Sequence, residues 1–170
     1  MRPKRRTPRK PASAAFDSPE QEAYLHLWRT YDRLREIDEA VFASRGITAQ
    51  QYNALRVLRS VHPRELSTST LGSRLVSRAP DMTRLLDRLE SQGWVKRRRN
   101  ADNRRVVWVS ITAAGVATVA GLATEVRRCG ERQLGHLGRK KLAALIALLR
   151  EAREPHEENA VMAEWPNNRP

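Results

Sequence analysis

Between Ser67 and Thr112 the hydrophobic pattern changes period, and that change constrains the fold more than any other feature of the chain. Met82, Leu85, Leu86 and Leu89 fall at i, i+3, i+4 and i+7, one apolar stripe on a helix. Its other face carries Asp81, Thr83, Arg84, Asp87 and Arg88. Gly93 ends this helix, as a left-handed cap residue does. Trp94 to Arg98 then reads as a short strand, Arg99 to Arg104 as a polar turn, and Arg105 to Ser110 as a second strand rich in valine. A helix followed by a two-stranded, arginine-tipped hairpin is the layout of a winged helix-turn-helix.

The preceding segment supplies the partner helix. Ser67, Thr68 and Ser69 are all candidate N-caps, and Leu71, Leu75 and Val76 are its expected buried side. Val76 to Ala79 makes a short connection. Pro80 suits the first turn of the next helix, where its missing N–H costs nothing. The first helix would brace the second, which would enter a DNA major groove by its N-terminal end. Two packed surface helices with a charged outer face would show the same spacing. The hairpin separates the two readings: Lys96, Arg97, Arg98, Arg99, Arg104 and Arg105 crowd around one turn. A solvated face needs no such excess of one sign, whereas a hairpin lying along phosphates does.

Composition points the same way. A formal net charge of +13 over 170 residues implies a polyanionic partner, nucleic acid before an anionic membrane. The length suits one domain, or one domain with an oligomerisation element. No apolar run approaches the roughly 20 residues of a membrane span, and residues 1–19 lack the apolar core of a signal peptide. The single cysteine excludes an intramolecular disulfide and fits a reducing compartment, so a cytoplasmic protein is expected. His26, His62, His136 and His156 are scattered without ligand spacing. No nucleophile triad, phosphate loop or carboxylate pair stands out. Neither an enzyme, a cofactor nor a metal is expected.

Taken in order, the chain divides into five segments. Residues 1–17 form a basic, proline-rich arm, expected to be disordered. This arm is either a solvated tail or an electrostatic extension toward DNA. Residues 18–46 hold a long helix, capped by Ser18 and stopped at Arg45-Gly46, with a broad apolar face that includes Leu27, Tyr31, Leu34 and Val41. Residues 47–112 hold the winged helix-turn-helix and the helix before it. That helix opens at Thr48, with Gln51 completing a capping box. Residues 113–154 hold two more helices, from Ala113 to about Arg128 and from Arg139 to about Glu154. Residues 155–170 form a polar tail. The terminal helices carry more apolar face than one small domain buries, which suits a helical dimer interface. The fold class expected is mainly α with a small β-hairpin wing.

From about Glu22 to Arg153 the chain resembles the multiple-antibiotic-resistance regulator (MarR) family. The resemblance rests on Gln51 to Leu58, Met82 to Glu90, Gly93-Trp94-Val95, and Arg105 to Thr112. It implies a triangular homodimer with a winged helix-turn-helix in each lower corner, a ligand crevice above it, and repression as the default activity. One departure stands out. The family's wing tip usually reads Asp-x-Arg, and the register here puts Asn103 at the acidic position, Arg105 at the arginine and Asp102 one residue early. Asn103 still accepts a hydrogen bond, without charge assistance, or Asp102 substitutes after a small loop shift. Arg105 is the minor-groove candidate, with Arg104 its competitor.

The candidate interface follows. Arg78, Pro80, Asp81, Thr83 and Arg84 form the groove-facing start of the recognition helix, with Arg88 behind them. Arg84 is the candidate for bidentate pairing to a guanine edge, worth about 1–3 kcal/mol of discrimination. The competing role for Arg84 and Arg88 is an intrahelix pair with Asp81 or Asp87. Ser67, Thr68, Ser69 and Arg74 are candidate phosphate contacts, and Arg98, Arg99, Asn103, Arg104 and Arg105 belong to the wing. Tyr24, His26, Trp28, Arg29 and Tyr31 are candidates to line a pocket for a small aromatic or anionic effector, and the same spacing serves a packed interface. Cys129, expected just after the fifth helix, reads as a structural free thiol. The expected partners are double-stranded DNA and a second copy of the chain, with no membrane. The alternative is a non-specific architectural protein that coats nucleic acid through charge alone.

Overall fold

The computed structural model describes residues 16–76, 81–101 and 103–156. Residues 1–15 of the arm, Arg78, Pro80, Asp102 and the tail beyond His156 lie outside the described residues. In chain order the elements are α1 (Pro19–Ala43), α2 (Ala49–Val61), β1 (Leu66–Ser67), α3 (Thr68–Arg74), α4 (Met82–Ser91), β2 (Val95–Arg99), β3 (Val107–Ile111), α5 (Ala113–Leu134) and α6 (Gly138–Arg153). A 3₁₀ turn at Gly135–Leu137 joins the last two helices. No helix among the described residues is long and apolar enough to cross a membrane. The chain forms two compact units, one ending at Glu36 and the other beginning at Ile37.

The first unit consists, among the described residues, of the start of α1. Ser18 Oγ accepts the Gln21 N–H at 3.2 Å, and the Asp17 N–H donates to Gln21 Oε1 at 2.7 Å. Backbone and Ser18 hydrogen bonds hold the Glu20 carboxyl below its usual pKa, as first-turn acids favour. Tyr24, Leu27, Trp28 and Tyr31 all remain exposed.

The second unit holds the core. Leu55 and Leu58 of α2, Leu71 of α3, Leu86 and Leu89 of α4, Val95 of β2 and Val109 of β3 are fully buried together. The α4 stripe read from the sequence is thus the face that anchors the helix. Thr48 and Gln51 form the expected capping box: Thr48 Oγ1 accepts the Gln51 N–H at 3.1 Å, and the Thr48 N–H donates to Gln51 Oε1 at 2.8 Å.

The sheet has three antiparallel strands in the order β1-β3-β2. β1 pairs Leu66 with Val109 and Ser67 with Trp108, while β2 pairs Arg97 with Val109 and Arg98 with Trp108. Two-residue β1 is too short to show a period in sequence and goes unpredicted. The wing strands also begin later than expected. β3 starts at Val107, which moves Arg105 out of the strand and into the turn.

Three further expectations are corrected. Val76 is 64% exposed, not buried, because α3 ends at Arg74 and Leu75 adopts an extended backbone that turns the next side chain outward. The fifth helix continues to Leu134, so Cys129 lies inside it rather than after it. Asp81 is the N-cap of α4 and not a helical residue, with φ −139° and ψ 89°.

Candidate nucleic-acid interface

The first turn of α4 presents its polar side outward because Leu85, Leu86 and Leu89 hold its other side in the core. Asp81 Oδ1 accepts the Arg84 backbone N–H at 2.8 Å. Thr83, Arg84 and Arg88 are exposed. The carboxylates that compete for these arginines are engaged elsewhere. Asp81 caps the helix and Asp87 lies 2.7 Å from the Arg97 guanidinium. Among the described residues no ion pair joins either carboxylate to Arg84 or Arg88, which favours an outward task for both.

At α3 the three candidate caps separate. Ser67 is the cap, its Oγ accepting the Thr70 N–H at 3.1 Å. That hydroxyl also shares hydrogen bonds with Ser69 Oγ at 2.9 Å and Thr70 Oγ1 at 2.8 Å. Ser67 is therefore occupied with the helix end, whereas Ser69 is exposed. Arg74 is half-buried in the last turn, and its Nε has no hydrogen-bond partner among the described residues.

The wing sorts its cations by the strand's two-residue alternation. Val95 and Arg97 share the core side of β2, and Lys96 and Arg98 the outer side. Arg97 Nε donates to Glu90 Oε2 at 2.8 Å, and its guanidinium also reaches Asp87. Hydrogen bonds from Arg97 lower the Glu90 pKa, and Glu90 in turn raises that of Arg97. Arg98 Nε donates to Glu65 Oε2 at 3.0 Å, across the central strand. Arg98 is thus an exposed cation already paired in the free chain. Glu65 carries no local signal in the sequence, because strand pairing alone brings it to the wing. The signal for Arg97 was available, because it lies two residues from buried Val95.

At the tip, Arg99, Asn103, Arg104 and Arg105 are all exposed. Asn103 does accept a hydrogen bond, but from the Arg105 backbone N–H at 3.1 Å. The Val106 N–H donates to the Asn103 carbonyl at 2.9 Å, and the Asn100 N–H to the Val106 carbonyl at 2.9 Å. Asparagine here shapes the turn that carries Arg104 and Arg105, as Asx side chains do.

The effector candidates lie in the unit that ends at Glu36. Tyr24, Trp28 and Tyr31 are exposed, Tyr24 and Trp28 lie 6.2 Å apart, and His26 lies 3.8 Å from Glu22 and 6.1 Å from the Phe16 ring. They project from one helix. Cys129 is buried and donates from Sγ to Asp38 Oδ1 at 3.2 Å. Burial, then the Asp38 carboxylate, pushes its pKa up.

This arrangement has known counterparts. Residues 47–107 match the model of the MarR family. A MarR transcription factor from Planctomyces limnophilus is 51% identical, with 80% of this chain and 98% of that one aligned at a TM-score of 0.64. The HTH-type transcriptional repressor YetL of Bacillus subtilis is 28% identical over 104 residues, 61% of this chain and 62% of YetL. The chain thus spans about three fifths of the length of that curated relative. A cysteine-to-serine variant of MarR from Escherichia coli, solved in complex with operator DNA, is 24% identical over 79% of this chain and 94% of that one, with a TM-score of 0.67, and shares its fold. The chain belongs to the MarR family, whose members are DNA-binding transcriptional regulators and not enzymes.

Proposed function

We propose that the protein is a cytoplasmic, sequence-specific regulator of transcription that binds double-stranded DNA as a homodimer and represses. The observation that carries this reading is the exposed first turn of α4. Thr83 and Arg84 stand outward on a helix footed in buried leucines, and exposed Arg99, Arg104 and Arg105 form the tip of the adjoining wing. In this reading Arg84 reads a base edge, Arg88, Ser69 and Arg74 hold phosphates, and Arg105 enters the minor groove. Residues 47–112 read the DNA. The segments 18–46 and 113–154 supply dimer contacts through apolar side chains that the single chain leaves exposed, among them Leu25, Leu27, Ile146 and Leu148. Tyr24, His26, Trp28 and Tyr31 take a small aromatic or anionic effector that releases DNA. The basic arm adds phosphate contacts.

Selection from a random-sequence duplex pool tests the reading. Two inverted half-sites, centred roughly one helical turn apart, are expected to be enriched. Retention without enrichment of any sequence would replace the regulator with the architectural, charge-driven alternative.

A further inference from the structure

The sequence groups Arg97 with the phosphate-facing arginines of the wing, and its surroundings point elsewhere. We propose that Arg97 is a positioning residue: bound to Glu90 and Asp87, it fixes how the wing is presented beside the recognition helix, and so sets DNA affinity without touching DNA. This inference rests on the DNA-binding reading above.

Gln92, Gly93 and Trp94 alone join α4 to β2, and Gly93 has a φ of +69°. The base of the hairpin is tied at Thr112 and its central strand to β1, and the strand that follows this joint has its own polar attachment to α4. Four contacts supply it. The Arg97 backbone N–H donates to Glu90 Oε1 at 3.1 Å. Its Nε donates to Glu90 Oε2 at 2.8 Å, and Nη2 reaches the same oxygen at 2.5 Å and Asp87 Oδ1 at 2.7 Å. Asp87 and Glu90 are three residues apart, hence neighbours on one side of α4. The planar guanidinium bonds in a fixed fork, so two carboxylates from one helix define its rotation as well as its distance. The Arg97 side chain is 26% exposed, against 61% for Arg98. It is the wing arginine withdrawn toward the protein.

Three substitutions in the full chain, titrated with selected and random duplex DNA over a range of salt, test the assignment. Arg97→Met keeps the apolar stem and removes the clamp. If only a fraction of wings then holds the binding geometry, apparent affinity falls by that fraction, here expected at about tenfold. The number of phosphate contacts in the complex, and so the salt slope, stays the same. A phosphate contact would instead lower the slope by about 0.9. Glu90→Ala removes a negative charge near a polyanion, so charge alone predicts tighter binding, whereas positioning predicts weaker binding. Arg97→Lys keeps the charge without the fork and falls between wild type and Arg97→Met. Thermal midpoints measured without DNA identify any variant that is unfolded at the assay temperature, and the remaining variants then decide. A slope reduced by about one in Arg97→Met, or unchanged or tighter binding by Glu90→Ala, overturns the proposal. A wild-type chain that binds no DNA overturns the regulator reading first, and this assignment with it.

Discussion

Arg97 and Arg105 are the same side chain in one hairpin, but Arg97 sits on a strand and Arg105 in the turn, and their surroundings differ. Arg97 faces the carboxylates of α4, while Arg105 stands exposed in the turn that Asn103 shapes. Arg84→Ala is therefore expected to relax sequence preference, losing affinity for a selected site by about 1–3 kcal/mol while random DNA is bound nearly as before. Arg105→Ala is expected to weaken both and to flatten the salt dependence. Equal losses on both DNAs for Arg84→Ala would contradict base readout. Cys129 supports a second prediction. Its raised pKa keeps the thiol protonated at neutral pH, and burial closes access. A thiol reagent should modify the native protein far more slowly than the denatured one; equal rates would contradict the assignment. The thiol's raised pKa contributes stability below the ordinary thiol pKa, which is lost as pH rises through the folded value. At this scale the recognition-helix arginines were legible, because helical period alone places them opposite the leucines. The partner of Arg98 was not, because Glu65 joins the wing only through strand pairing.

Among the elements, α4, the wing and α5 meet at a junction tied by Thr112. Thr112 caps α5 by accepting the Gly115 N–H at 3.1 Å, donates from Oγ1 to the Gly93 carbonyl at 2.7 Å, and donates its N–H to the Trp94 carbonyl at 3.0 Å. A Cβ at Gly115 would collide with the Trp94 carbonyl oxygen and press on Ile111. Gly115→Ala is thus expected to destabilise by about 1–3 kcal/mol or more, as overpacking does, read from the urea midpoint. A stability equal to wild type would show that α5 can move away from the junction at no cost. The capping box at Thr48, the cap at Thr112 and the stop at Gly93 were all readable, because caps are local chemistry. The two-residue β1, the end of α3 at Arg74 and the extra length of α5 were not, since pairing and packing set those limits.

For the whole molecule, charge governs both stability and association. Glu90 and Glu125 have lowered pKa values, first through hydrogen bonds from Arg97 and Arg45 respectively. A carboxylate with a depressed folded pKa binds fewer protons in the native than in the unfolded chain. Its stabilisation is present above the ordinary carboxylate pKa and is lost as pH falls through the folded value. The urea midpoint is expected to fall from neutral pH toward pH 3, and less steeply in Glu90→Ala. Identical slopes would show that the Arg97 clamp contributes nothing to acid sensitivity. The excess of basic charge was plain in the sequence, and it named a polyanion without separating sequence readout from coating.

That separation is the central claim, and one titration tests it directly. Fluorescence anisotropy would compare labelled DNA from upstream of the gene that encodes the chain with a shuffled duplex, at low and near-physiological salt. A preference of about a thousandfold or more that survives the salt increase is the predicted result. Equal binding to both duplexes that collapses with salt would contradict it.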